Sequence, residues 1–167
     1  MAGLLRSGHL CTELCFMEIQ RTIRILLADD HPMVRRGIRR ILEKCSDFAV
    51  VAEADTGMVA LRLVQELKPD VLLLDIEMPG MRGDQVTRQL RKMNFPVSIL
   101  IFSGCDDPHF IQEMFQIGAD GYLTKDESPE GIRQAVHKVS QRNVKKEGTP
   151  AASSFFTLTK ILGNFIR

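Results

Sequence analysis

Apolar residues alternate along the chain between two textures. Short runs rich in branched side chains, beginning with IRILLA at Ile23–Ala28, are separated by stretches where apolar positions return every three or four residues. The first run predicts a strand. Behind it, Val34, Ile38, Ile41 and Leu42 share one face of a predicted helix, with Arg35, Arg36, Arg39 and Arg40 expected to point outward. Residues 49–54 predict a second strand. A helix follows over 58–67, with Leu61, Val64 and Leu67 inward and Lys68-Pro69 as its stop. VLLL at Val71–Leu74 is apolar at every position, as a central parallel strand covered on both faces should be. Helix 84–93, strand 97–102, helix 108–116 and strand 121–123 continue the series. A last helix opens at Ser128-Pro129-Glu130 with a cap candidate, a first-turn proline and an acid beside the positive helix end. It turns Ile132, Ala135, Val136 and Val139 inward.

Five strands alternating with five helices predict an α/β fold: a doubly wound five-stranded parallel sheet between two helical layers. In such sheets the site lies beyond the carboxyl ends of the strands. Residues 1–21 carry neither pattern and are expected to form an unstructured extension, within which Met17 is a second candidate start.

Composition narrows the choice of function. A chain of 167 residues with 44% hydrophobic and 26% charged residues can bury one core, which excludes disorder of the whole chain. Its net charge of +1 creates no global attraction to nucleic acid or to an acidic membrane. Cys11, Cys15, Cys45 and Cys105 have neither zinc-knuckle spacing nor the pattern of a disulfide framework, so reduced thiols in a cytoplasmic protein are expected. No apolar stretch approaches the roughly 20 residues of a membrane span.

The chemistry gathers at the strand ends. Strand one ends in Asp29-Asp30, strand three in Asp75, strand four in Ser103, and strand five in Tyr122 with Lys125 just beyond. Three crowded carboxylates repel and need a cation, and hard oxygen ligands suit Mg²⁺. A carboxylate beside such an ion can attack phosphorus and form an aspartyl phosphate, with Asp75 as the candidate nucleophile. Lys125 and Ser103 are the candidate partners for the phosphoryl oxygens.

ILLADDHPMVRRG, LLLDIEMPGMRG, ILIFSG and GADGYLTKD together resemble the receiver domain of two-component response regulators, and the first and last resemble its NarL/FixJ (LuxR-type) branch. The resemblance implies a CheY-like, flavodoxin-like (βα)5 sandwich with strand order 2-1-3-4-5, over residues 22–142. It implies that Asp29 and Asp30 hold Mg²⁺ with Asp75 and the backbone carbonyl of Glu77, and that Asp75 accepts phosphate from a sensor histidine kinase. Ser103, Tyr122 and Lys125 then match the switch hydroxyl, the aromatic switch and the site lysine. The switch would reshape the face of helix four, strand five and helix five, where Phe110, Met114 and a basic run suggest an output partner or a homodimer contact. Glu77 and Cys105 occupy the positions that tune phosphate lifetime in the family, and Asp126 stands where many members have proline.

Other readings remain. A Mg²⁺-dependent phosphohydrolase working through an aspartyl phosphate would want a second aspartate where Glu77 stands, and a pseudo-receiver used only for contacts would not need the full acidic set. His31 is taken as a helix-start residue, since Mg²⁺ prefers oxygen. Arg133, Lys138, Arg142, Lys145 and Lys146 suit a solvated helix face better than a nucleic-acid surface. Residues 143–167 are expected to be a linker and a short tail. The final FFTLTKILGNFIR is too short for a helix-turn-helix domain, so no direct DNA binding by this chain is expected. Phe155, Leu158, Leu162, Phe165 and Ile166 nevertheless fall at helical spacing, which leaves a frayed remnant and a docking helix both open.

Overall fold

A computed structural model describes residues 21–146, with side chains to Gln141. The expected N-terminal extension, apart from Arg21, and the tail beyond residue 146 lie outside the described residues, as do the side chains of Arg142, Lys145 and Lys146. The element order is β1 (Ile23–Ala28), α1 (Pro32–Leu42), β2 (Phe48–Ala54), α2 (Gly57–Leu67), β3 (Val71–Leu74), α3 (Gly83–Lys92), β4 (Ser98–Ser103), α4 (Pro108–Gln116), β5 (Gly121–Thr124) and α5 (Pro129–Lys146). All pairings are parallel, in the order β2-β1-β3-β4-β5. The fold is thus the doubly wound sandwich that the alternation implied.

Strand side chains alternate between the two faces, so one sheet serves two cores. Leu26, Leu72, Leu74, Ile99 and Ile101 pack with Ala60 and Val64 of α2, Val86 and Leu90 of α3, and Ile111 and Met114 of α4. On the other face, Ile25, Leu27, Val71, Leu73, Leu100 and Phe102 meet Ile38 and Leu42 of α1 and Ile132, Val136 and Val139 of α5. Each fully buried aliphatic side chain contributes about 1.5–3 kcal/mol of transfer free energy.

Local signals set the helix limits. Thr56 Oγ1 accepts the Val59 N–H at 3.3 Å, starting α2 one residue before the apolar pattern does. Lys68 ends α2 in the left-handed region at φ 48°, ahead of Pro69. Helix α5 continues to Lys146, past residue 142.

Two surface expectations are corrected. Met114 is 1% exposed and lies in the core, because it falls three residues after Ile111 on the inward stripe of α4. It offers nothing to a partner, whereas Phe110 is half-buried against the same cluster. On α1, Arg35 and Arg39 are half-buried rather than outward. Arg35 precedes Ile38 by three residues and so shares its face.

Candidate functional site

Strand register carries the acids to one place. The Asp29 N–H donates to the Ala54 carbonyl at 3.1 Å, and the Asp75 N–H donates to the Ala28 carbonyl at 2.8 Å, so the ladder runs on for one residue and sets both aspartates side by side. The Lys125 N–H likewise donates to the Ser103 carbonyl at 2.9 Å, tying the ends of β4 and β5. Glycine clamps the loop after Asp75. A Cβ on Gly83 would lie 2.2 Å from the Asp75 carbonyl oxygen, and one on Gly57 would lie 2.0 Å from that of Met81. Neither position admits a side chain while α2 and α3 hold their places.

Asp75 is 2% exposed. Its Oδ1 accepts the Ile76 N–H at 2.8 Å and its Oδ2 accepts from Lys125 Nζ at 2.9 Å. The same ammonium lies 2.9 Å from Asp29 Oδ2. Asp29 Oδ1 accepts the His31 N–H at 2.7 Å, which orients the acid and starts α1 together. Asp30 Oδ1 lies 2.7 Å from His31 Nδ1. Despite these neighbours, the buried atoms Asp29 Oδ2 and Asp30 Oδ1 accept no aligned hydrogen bond.

Electrostatics follow from an excess of negative charge. Burial pushes the Asp75 carboxyl above its ordinary value, the nearby Asp29 adds to that, and Lys125 only partly opposes it. Burial works against the Lys125 ammonium, but Asp29 and Asp75 outweigh it and hold its pKa above the ordinary value. Both shifts favour proton uptake, as expected where three acids face one base.

Ser103 and Tyr122 are joined through Cys105. The Cys105 N–H donates to Ser103 Oγ at 3.3 Å, and its carbonyl accepts the Tyr122 hydroxyl at 2.7 Å. Tyr122 is 7% exposed, with its ring turned into the core cluster, and burial pushes its phenol up. The Glu77 side chain is exposed and stands apart from the cluster.

Sequence reasoning missed Arg35. Its guanidinium donates to the Asp29 carbonyl at 2.6 Å and to Glu53 Oε2 at 3.2 Å, while Arg39 takes Glu53 Oε1 at 2.7 Å. The i, i+3 relation to Ile38 was the available signal. Among the described residues, Asp29, Asp30, His31 and Asp75 form a group whose ligand atoms all lie within 4.8 Å of one another, so the cluster can hold a metal ion.

A parallel sheet of this order, with three acids and a lysine at its carboxyl edge, defines a signalling class, and the chain belongs to the response regulator receiver domain family, whose match covers residues 25–137. It is the receiver domain of a two-component response regulator. Among individual proteins, it is 38% identical over 124 residues to the nitrate/nitrite response regulator protein NarL of Escherichia coli K12, covering 74% of this chain and 57% of that protein. It is 39% identical over 117 residues to the response regulator GacA of Pseudomonas aeruginosa, covering 70% of this chain and 55% of that one. The chain thus spans little more than half the length of these relatives. The solved signal receiver domain of NarL from Mycobacterium tuberculosis superposes with a TM-score of 0.71 at 39% identity, over 72% of this chain and 98% of that domain. Among the described residues, no helix is long and apolar enough to cross a membrane.

Proposed function

We propose that Asp75 accepts a phosphoryl group from the phosphohistidine of a sensor kinase, and that the receiver signals through the resulting change of its α4–β5–α5 face. One observation carries the reading: a carboxylate that is 2% exposed shares a single ammonium, at 2.9 Å, with a second acid on the neighbouring strand. In the transfer, a carboxylate oxygen of Asp75 attacks phosphorus, an O–P bond forms, the N–P bond breaks, and the imidazole leaves with the electron pair.

The donor set fits a hard divalent cation. Three carboxylates against one ammonium leave two negative charges over. Asp29, Asp30, Asp75 and the Glu77 carbonyl would hold Mg²⁺, which when bound supplies neutralisation of the acids and of the phosphoryl oxygens. Lys125 turns its ammonium from the Asp75 carboxylate to a phosphoryl oxygen, and Ser103 donates its hydroxyl to another. Ser103 then draws on the Cys105 N–H, and through that residue on the hydroxyl of Tyr122. The family's membership and the paired relatives support this assignment of roles.

Incubation with acetyl phosphate and Mg²⁺, comparing the chain with Asp75→Asn, tests the reading. The wild type is expected to gain one acid-labile phosphate and the variant none. Equal labelling of both, or no labelling of either, overturns it.

A further inference from the structure

We propose that Arg35 is a positioning residue for the reaction at Asp75: its guanidinium, anchored on Glu53 of β2, fixes Asp29 against Asp75 and Lys125 and so sets the rate of phosphoryl transfer. This rests on the reading of Asp75 as the phosphoacceptor and deepens it with a residue that stands outside the acidic cluster.

Asp29 lies one residue beyond the end of β1, where the ladder closes. Its N–H donates to the carbonyl of Ala54, the last residue of β2, at 3.1 Å. The carbonyl of a strand residue points the same way as its N–H, so that of Asp29 faces a neighbour that has already turned into a loop. Arg35 supplies the donor there. Its Nη1 donates to the Asp29 carbonyl at 2.6 Å while its Nε donates to Glu53 Oε2 at 3.2 Å. The planar fork of a guanidinium serves two acceptors in a fixed geometry, so one rigid group ties the Asp29 backbone to β2.

Packing leaves that task to the hydrogen bonds. A cavity of about 10 Å³, lined by Leu27, Asp29 and Phe102 and by Val34, Arg35 and Ile38 of α1, lies between the first two turns of α1 and the sheet beside Asp29. Close-packed side chains fix their neighbours, and a gap relaxes that constraint. The Arg35 side chain is 16% exposed, so the bond that spans the gap is shielded from water.

The anchor is itself held. Arg39 donates to Glu53 Oε1 at 2.7 Å, and that bond, with the one from Arg35, keeps the Glu53 carboxyl below its ordinary value although burial opposes them. An anchor that stays ionised keeps the fork in place. Asp29 is then fixed through its carbonyl by Arg35, through Oδ1 by the His31 N–H and through Oδ2 by Lys125. Without the first of these the residue can tilt, and the ammonium that it shares with Asp75 moves with it. A displacement of about 1 Å that begins away from the reacting atoms can slow a reaction roughly 100-fold.

Labelling of Asp75 by acetyl phosphate at saturating Mg²⁺ tests this in Arg35→Gln, Glu53→Gln and Arg39→Gln, with hydrogen exchange of the Asp29 and His31 amides followed in the metal-free full chains. Arg35→Gln is expected to label about 10- to 100-fold more slowly, the loss typical when a group that orients a site residue is removed. Its two amides should exchange about tenfold faster than in wild type, because the segment opens locally. Glu53→Gln should shift both readings in the same direction, and adding it to Arg35→Gln should change little further, since the two residues act as a unit. Arg39→Gln takes a bond from the same carboxylate without reaching Asp29, and should leave both readings as in wild type. An Arg35→Gln chain that is folded by its urea midpoint yet labels at the wild-type rate overturns the proposal. Slow labelling with unchanged exchange overturns it too, by making charge the cause, as does an Arg39→Gln chain that labels as slowly as Arg35→Gln, by making stability the cause. Should Arg35→Gln fail to fold, Glu53→Gln decides by the same two readings. A wild type that takes no label overturns the phosphoacceptor reading and the role in transfer with it, while the exchange rates still show whether Arg35 holds Asp29.

Discussion

Two cation–carboxylate clusters lie at opposite ends of the same sheet, and they are satisfied to very different degrees. At the amino ends of β4 and β5, Arg91 donates to the carbonyls of Gly118 at 2.8 Å and Val97 at 2.9 Å and to Asp120 Oδ2 at 2.6 Å, and Asp120 Oδ2 also accepts the Ile99 N–H at 2.9 Å. Burial pulls the Arg91 pKa down, and Asp120 only partly restores it. One positive and one negative charge meet there among a full set of hydrogen bonds. At the carboxyl ends, Lys125 serves two acids and a third acid stands beside them, which leaves negative charge in excess. The first cluster joins α3 to the start of β4 and β5. The second keeps an excess of negative charge at the carboxyl edge, the feature on which the proposed phosphoacceptor role rests.

Exchanging roles between the two clusters would break that contrast. The largest effect is expected at Lys125→Ala, which removes the only described cation touching Asp75 and should cut the rate of phosphorylation by acetyl phosphate about 100-fold. Rapid quench of the labelled protein measures it, and a loss below a few-fold would deny Lys125 its part. Next comes Arg91→Ala, which takes the guanidinium from Asp120 and from the Gly118 and Val97 carbonyls and should destabilise the fold by about 3 kcal/mol, read from the urea midpoint, with little change in phosphorylation of the folded protein. If Arg91→Ala silenced phosphorylation while Lys125→Ala unfolded the chain, the division between structural and reactive clusters would be wrong.

A smaller effect concerns pH in the absence of divalent cations. The Asp75 carboxyl is raised in the folded state, chiefly by burial, from an ordinary value of 3.8. A group raised by folding stabilises the protein below its unfolded value, and that stability is lost as pH rises through the folded one. Asp75→Asn lacks the titration. Its stability relative to wild type should therefore grow as pH rises from 3.8 through the raised value of Asp75, in denaturation series run with a chelator. A constant gap across that window would mean that Asp75 ionises as freely in the fold as outside it. The smallest change belongs to Tyr122→Phe, which loses the bond to the Cys105 carbonyl and should cost about 1 kcal/mol while leaving phosphorylation itself intact.

Much of this arrangement was legible before any coordinates. Asp29, Asp30, Asp75, Ser103 and Lys125 sit at or just past the end of a short apolar run, with Tyr122 inside the last one, and parallel strands of one hand must bring such ends together. What stayed hidden is carried by backbone atoms and by shared helix faces. Cys105 joins Ser103 to Tyr122 through its N–H and carbonyl, groups that every residue but proline owns, so no residue type marks the position. Gly57 and Gly83 matter for the carbonyls of Met81 and Asp75 that a Cβ would meet, contacts that the path of the loop after Asp75 sets and no local pattern marks. Arg35 belongs to the site because α1 rotates it toward Glu53 on β2, and its charge alone suggested solvent.

By itself, then, the sequence determined the elements, their alternation and the edge at which acids, hydroxyl and lysine collect, because periods of 2 and 3.6 residues and the handedness of crossovers are local rules. Only the tertiary structure decided which of those groups touch: that Lys125 bridges Asp29 and Asp75, that the ring of His31 faces Asp30, that Met114 is core and Arg35 is not surface. Those outcomes depend on distances of a few ångströms between residues up to about a hundred positions apart, which packing sets and periodicity does not encode.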